Sequence, residues 1–269
     1  MEKGLVVVIM AGGLGKRMDS DLPKVLHKIG KLPMIVHLLM KLKVLEKTHK
    51  IYKILIVVGK YREIIQKTIE MYLDTNGITF IDQPTALGTG HAIQCCIEEL
   101  KQYTTHNALI LSGDVPLLSA DLMYNMVKNV SVSRLMTAIF DEPHGYGRIV
   151  EKEQENTTFD KIVEEKDCNE EEKKIKKVNC GIYTFDCQIL CKYLPHLKNN
   201  NAQKEYYMTD ILEIIKNNEK VNIETYNIEK EKHHETIGVN TKAQLEDLEK
   251  IFETQKTQET QETQETQEK

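Results

Sequence analysis

The 269-residue chain contains no tryptophan and no long hydrophobic run; its longest clean apolar stretch is Leu5–Ala11. A bilayer-spanning helix takes about 20 apolar residues, so that stretch is too short to be one and no membrane partner is expected. It also lacks an A-x-A-type cleavage site before the glycines that follow, which makes it a poor signal peptide and leaves the cytoplasm as the expected compartment. The six cysteines (Cys95, Cys96, Cys168, Cys180, Cys187 and Cys191) form no C-x-x-C pair, which argues against zinc. Most of them lie in apolar periodic segments and read as small core residues. The pair His233–His234 has no Cys or carboxylate at ligand spacing and reads as solvated. A surplus of basic charge is missing too. The net charge of −5 argues against generic nucleic-acid binding, so a polyanionic ligand must be met by local cations.

What is present is an alternation of short Val/Ile-rich runs and helical stripes. Leu5–Met10, Ile54–Val58, Ile78–Ile81 and Ala108–Leu111 read as strands. Between them, Ile35/Leu38/Leu39/Leu42/Leu45, Ile64/Ile65/Ile69/Tyr72 and Ala92/Ile93/Cys96/Ile97/Leu100 recur at helical spacing and read as core-facing stripes. Strand, helix, strand in series predicts an α/β fold, a doubly wound, mostly parallel sheet whose ligands bind beyond the carboxyl ends of the strands. In the second half, Leu135–Phe140, Arg148–Val150, Phe159–Val163 and Val178–Phe185 suggest an antiparallel element able to cover a sugar. Short helices around Gln188–Leu194 and Met208–Ile215, a strand near Val221–Tyr226 and a helix carrying Leu245, Leu248 and Ile251 follow. Residues 1–253 are expected to form one domain. From Thr254 the chain is low complexity, with Thr-Gln-Glu repeated four times and no apolar residue to offset ordering entropy. Disorder, or a frayed continuation of the last helix, is expected there.

Four clusters carry candidate chemistry. The first is AGGLGKRMDSDLPKVL, Ala11–Leu26, directly after the first strand. Gly12, Gly13 and Gly15 let backbone amides approach an anion, and Lys16, Arg17 and Lys24 bring cations. It is neither a P-loop, because the position five before Gly15 is Met10, nor GxGxxG, because Met18 stands where the third glycine belongs. Alone, such a turn is also compatible with a solvated loop. The second cluster is Gln83-Pro-Thr-Ala-Leu-Gly88-Thr89-Gly90-His91-Ala92. Its glycines allow backbone close to a flat base, and Thr89 is placed to cap the next helix and bond a ligand. The third is Leu111-Ser112-Gly113-Asp114-Val115-Pro116-Leu117, which puts one carboxylate at the mouth of the sheet, as suits a magnesium ion that keeps several waters. The fourth comprises Gly145–Ile149, Val163–Asp167, Val178–Ile182, Asn199–Asp210 and Gly238–Asn240, rich in groups that exchange hydrogen bonds with hydroxyls.

Read together, GxGxRMxSxLPK at Gly13–Lys24, LGTGHA, GDVPL and NNNAQxEYYxTD resemble the signature of the sugar-1-phosphate nucleotidylyltransferases, most closely the uridylyltransferase domain of the bacterial N-acetylglucosamine-1-phosphate enzymes. The resemblance runs from about Leu5 to about Leu248 and departs from the usual pattern at Gly12, Lys16, Ser112 and Cys180. It implies transfer of UMP from UTP to N-acetylglucosamine 1-phosphate, giving UDP-N-acetylglucosamine and pyrophosphate by direct in-line attack with Mg²⁺ as cofactor. It assigns Ala11, Gly12, Gly13, Lys24, Gln83, Gly88, Thr89 and Gly113 to the nucleotide. Gly147, Glu164, Asn179, Tyr207 and Thr209 go to the sugar, Asp114 and Asn240 to the metal, and Arg17 and Lys24 to catalysis. Only the family register lifts Glu164 above Glu165, which otherwise reads as solvated surface. No hexapeptide repeat of the kind that forms the acetyltransferase domain of bacterial relatives is present, so that activity and trimerisation through it are not expected. Two alternatives stay open at this stage: a uridylyltransferase for another sugar phosphate such as glucose 1-phosphate, and a nucleotide-sugar-binding module without catalysis.

Overall fold

A computed structural model of the chain describes residues 3–13, 15–152 and 158–267. The side chains of Lys16, one of the cations expected in the first loop, and of residues 258–267 lie outside that description. Strand β1 (Leu5–Met10) shows how the sequence builds the layers. Successive side chains point to opposite faces, so Leu5, Val7 and Ile9 enter one apolar layer and Val6 and Val8 the other. All five are fully buried, and a strand apolar on both faces has to be covered by helices on both.

The remaining strands are β2 (Lys28–Ile29), β3 (Leu32–Pro33), β4 (Ile51–Val58), β5 (Ile78–Asp82), β6 (Asn107–Ser112), β7 (Ser133–Ile139), β8 (Arg148–Lys152), β9 (Thr158–Val163), β10 (Lys177–Asp186) and β11 (Glu224–Asn227). The helices are α1 (Met34–Leu45), α2 (Arg62–Glu70), α3 (Thr89–Gln94), α4 (Ile97–Leu100), α5 (Ala120–Val127), α6 (Cys187–Tyr193), α7 (Asp210–Glu219) and α8 (Lys242–Gln267). The main sheet runs β11-β7-β10-β6-β1-β4-β5, with β8 and β9 branching from β10. Strands β6, β1, β4 and β5 are mutually parallel, while β10 runs antiparallel to β6, β7 and β8. Helices α1, α2 and α5 cover one face and α3, α4, α6 and α7 the other. This is the expected doubly wound sheet with an antiparallel element. The chain leaves β1 toward β4 on one side and reaches β6 on the other, so the carboxyl end of β1 is a topological switch point.

Several local expectations need correction. Helix α5 was not anticipated, although Ser119 caps it by accepting from the Leu122 N–H at 3.3 Å and Leu122, Met123, Met126 and Val127 are buried behind it. Of the stripe Ile64/Ile65/Ile69/Tyr72 only Ile65 and Ile69 are core; Ile64 and Tyr72 are exposed. The two histidines are not simply solvated. Both are half-buried, and His233 packs edge-on against Phe140 with ring centroids 5.0 Å apart. Helix α8 continues past Thr254 to Gln267, the second of the two expectations for the tail and no correction; the tail has neither Gly nor Pro to stop it, and Gln and Glu are good helix formers. All six cysteines are free, with Cys95 and Cys191 half-buried and the others buried. Among the described residues, no helix is long and apolar enough to cross a membrane.

Candidate active site

The loop after β1 lies at the switch point. Ala11 still donates to the Val57 carbonyl at 2.8 Å, which extends the β1–β4 ladder before the chain turns away. Gly15 turns the chain in the left-handed region, φ 67°, where a Cβ would stand 2.9 Å from the Lys24 Cβ. Only glycine takes that conformation freely and leaves room for Lys24 behind it. A single 3₁₀ turn, Lys16–Met18, follows. It exposes Arg17 and buries Met18 beside Ile29, Met34, Val239 and Leu248. Arg17 is not among the side chains that line the cavity described below. A second 3₁₀ turn, Lys24–Leu26, anchors itself through buried Val25 and Leu26 and so fixes the base of the Lys24 side chain.

The Lys24 ammonium then closes a triangle across the chain. It donates to Asp114 Oδ2 and, at 3.0 Å, to Asn240 Oδ1. Asp114 is 6% exposed, and its Oδ1 accepts from Ser112 Oγ at 2.5 Å. Its backbone carbonyl accepts from the Val239 N–H at 3.0 Å, which is what carries Asn240 to the end of β6. The Asn240 N–H is in turn satisfied by Gln244 Oε1 at 2.8 Å. Two hard oxygen donors thus already grip one cation. Among the described residues, no three His, Cys, Asp or Glu side chains are grouped to hold a metal. One carboxylate with one amide oxygen suits a hard divalent ion that keeps most of its waters. Ser112, read in the sequence only as a departure from pattern, turns out to orient the carboxylate.

A cavity of about 280 Å³ opens next to this triangle, and its lining includes Gly12, Gly13, Lys24, Gln83, Gly88, Thr89, Ser112, Asp114 and Glu205. Gln83 continues β5: its N–H donates to the Val58 carbonyl at 2.7 Å. Its Nε2 lies 3.1 Å from the Gly88 carbonyl and 3.1 Å from His91 Nδ1. The helix that follows is not capped by Thr89, as the sequence suggests. Gly88 occupies the cap, and Thr89 Oγ1 accepts from the Met208 N–H at 3.0 Å. Gly113 is not in the lining; it donates to the Met10 carbonyl at 2.9 Å and packs behind the site.

The residues expected at the sugar form a neighbouring cluster. Glu164 Oε1 accepts from buried Thr209 Oγ1 at 2.9 Å, and burial pushes the Glu164 carboxyl above its ordinary value. A Cβ on Gly147 would lie 3.5 Å from both Glu164 oxygens, so the backbone there passes close to the carboxylate. The Gly147 carbonyl accepts from the Asn179 N–H at 2.9 Å. The Asn179 amide is held at both ends: Nδ2 donates to Tyr183 Oη at 2.7 Å, and Oδ1 accepts from the Gly181 N–H at 2.9 Å. Tyr207 is buried, with its hydroxyl accepting from Gln203 Nε2 at 2.9 Å. Glu165 is not loose surface either. It pairs at 2.7 Å with Arg148, which is 1% exposed. Sequence reasoning missed Arg148 because an arginine in a strand carries no mark of being buried. The segment Glu205–Thr209 joins the two clusters: Tyr206 exchanges backbone bonds with Leu87 and Gly90 at 2.8 and 2.7 Å.

The chain is similar to known proteins along most of its length. Residues 7–161 match the family model of the MobA-like NTP transferase domain. The chain is 41% identical over 251 residues to the "Probable UDP-N-acetylglucosamine pyrophosphorylase" of Acanthamoeba polyphaga mimivirus, covering 92% of this chain and 96% of that relative. It is 39% identical over 251 residues to the bifunctional protein GlmU of Clostridium botulinum (strain Eklund 17B / Type B), covering 91% of this chain but 51% of that relative. The chain therefore spans about half the length of the bifunctional relatives it matches. The crystal structure of a UDP-glucose pyrophosphorylase complexed with UDP-glucose superposes with a TM-score of 0.72 at 17% identity, covering 95% of this chain and 100% of the other. That likeness speaks to the fold.

Proposed function

Because the chain belongs to the MobA-like NTP transferases, we propose that it transfers UMP from UTP to N-acetylglucosamine 1-phosphate and releases pyrophosphate. The observation that carries this reading is the convergence of Lys24, Asp114 and Asn240 at the carboxyl edge of the sheet, beside a cavity floored by glycine backbone. We take residues 1–253 as the transferase domain and the cytoplasm, where thiols stay reduced, as its compartment.

The chemistry asks little of the protein beyond positioning and charge. A phosphate monoester loses its second proton with a pKa of about 6, so the sugar phosphate arrives ionised and needs no general base. Its oxygen attacks the α-phosphorus, a new P–O bond forms, and the bond to the β-phosphate oxygen breaks, releasing pyrophosphate. Backbone amides of Gly12 and Gly13 cradle the nucleotide; Ala11, whose N–H is taken by Val57, and Gly113, whose N–H is taken by Met10, support them from behind. Gln83, Gly88 and Thr89 face the base. Arg17, exposed on the 3₁₀ turn after Gly15, meets the β- and γ-phosphates, and Lys24 neutralises charge at the reacting centre. Asp114 and Asn240 would hold Mg²⁺, which would supply neutralisation of phosphate charge. Glu164 accepts from sugar hydroxyls, Asn179 and Thr209 complete that wall, Gly147 lets the ring approach, and Tyr207 closes the side toward the acetamide.

The test is pyrophosphate release with four nucleoside triphosphates crossed with N-acetylglucosamine 1-phosphate and glucose 1-phosphate. UTP with the N-acetyl sugar is expected to dominate and to stop when EDTA removes the metal. Equal turnover of glucose 1-phosphate, or none with any pair, overturns the assignment.

A further inference from the structure

His91 has no part in the reading above, yet it touches the side chain that faces the base. A glutamine amide is nearly symmetric in shape, and rotating it by half a turn exchanges an acceptor for two donors. Which end Gln83 shows to the cavity therefore decides what it recognises. The Gly88 carbonyl, 3.1 Å from Nε2, can only accept, so the nitrogen end has to face it. The second N–H of the same group reaches His91 Nδ1, also at 3.1 Å. Both donors are then used within the protein. The end left over is Oε1, which lies 3.3 Å from where a Cβ on Gly12 would stand; Gly12 and Gln83 both line the cavity. For Nδ1 to accept, the His91 ring must be neutral with its proton on Nε2, the nitrogen that lies 4.0 Å from Cys95 Sγ.

We propose that His91 is a positioning residue for base selection: it fixes the Gln83 amide so that only an acceptor faces the base, and thereby favours uracil over cytosine. The inference rests on the nucleotide reading of the cavity given above. Uracil offers an N3–H donor to Oε1, whereas cytosine offers a lone pair there. Cytosine would call for the flipped amide, which sets Oε1 against both the Gly88 carbonyl and the Nδ1 lone pair. Removing His91 takes away one of these two barriers to the flip.

The experiment measures UTP and CTP dissociation constants in Mg²⁺ for the wild type, His91→Leu and His91→Asn. Asparagine places a carbonyl oxygen where Nδ1 stands and can take the same amide proton; leucine fills the space without an acceptor. The wild type is expected to prefer UTP, with the preference falling about tenfold in His91→Leu, the scale of one lost hydrogen bond. His91→Asn is expected to keep it within about threefold, since a neutral acceptor is retained. Nitrogen-15 spectra of the wild type should show the His91 ring protonated on Nε2 only. An unchanged preference in His91→Leu, an equal loss in both variants, a proton on Nδ1, or a wild type that binds both nucleotides alike overturns the inference. Failure of the catalytic reading shows differently, as a wild type that separates UTP from CTP yet releases no pyrophosphate.

Discussion

At the scale of single residues, the site depends on a lysine held in place by its surroundings. Lysine is flexible, and ordering its side chain costs up to about 2 kcal/mol of rotamer entropy. Here part of the cost is offset before any ligand arrives: the 3₁₀ turn fixes its base, and without a metal its tip rests on Asp114 and Asn240. A preorganised cation of this kind is worth about 100-fold in rate. Lys24→Ala is therefore expected to lower kcat for pyrophosphate release by at least about that factor. Asp114→Ala should abolish turnover, because it removes the single buried carboxylate of the triangle and strands the hydroxyl of Ser112 beside it. Turnover at wild-type rates in the Asp114 variant would refute its assignment to the metal, and the same steady-state assay reads both.

At the scale of elements, α7 illustrates a tension between packing and charge. Its first residue, Asp210, is half-buried. Burial, with Glu164, Glu213 and Asp167 nearby, pushes its carboxyl up from 3.8 to about 6. A carboxyl whose folded value is raised favours the folded state below its unfolded value. That contribution is lost as pH rises from about 4 through about 6, because the folded protein binds the extra proton over that window. The full difference corresponds to at most about 3 kcal/mol, reduced by solvent screening. Urea denaturation should show the wild type losing about 1–3 kcal/mol relative to Asp210→Asn between pH 4 and pH 7; parallel curves would show that Asp210 is not perturbed. The same scale shows what could be read from sequence. The central strands were legible because runs such as Val6–Val8 and Ile54–Val58 have few other ways to bury themselves. The loop at Ala11–Leu26 was legible because glycines and cations recur at fixed spacing. Helix α5 had a serine cap and an apolar stripe but was overshadowed by the Gly-Asp turn before it. The two-residue strands β2 and β3 are too short to carry any period. The partners of Lys24 lie 90 and 216 residues away, and without the motif resemblance no local pattern connects them. Nor does spacing reveal that Glu165 neutralises a buried arginine.

At the scale of the whole molecule, two regions contribute differently. Residues 258–269 contain no apolar side chain, so deleting them should change unfolding free energy by less than about 0.5 kcal/mol, as for surface changes without buried contacts. The seam between the nucleotide and sugar clusters is the opposite case. Segment Glu205–Thr209 is drawn against Leu87–Gly90 by the Tyr206 backbone bonds and by the Met208 N–H on Thr89. That approach is possible only because Gly88 sits at φ 109° and has no side chain; a Cβ there would fall 2.6 Å from the Tyr206 carbonyl oxygen and 2.9 Å from the Glu205 Cβ. Backbone strain of this type costs about 1–3 kcal/mol, and the contact with a carbonyl oxygen forces the seam apart as well. Gly88→Ala should lower unfolding free energy by at least about 2 kcal/mol in urea titration. Because the segment that moves carries Glu205 toward one cluster and Thr209 toward the other, KM should rise for both UTP and the sugar phosphate. A rise confined to UTP would mean that Gly88 acts on the base alone and that the two clusters are held together elsewhere.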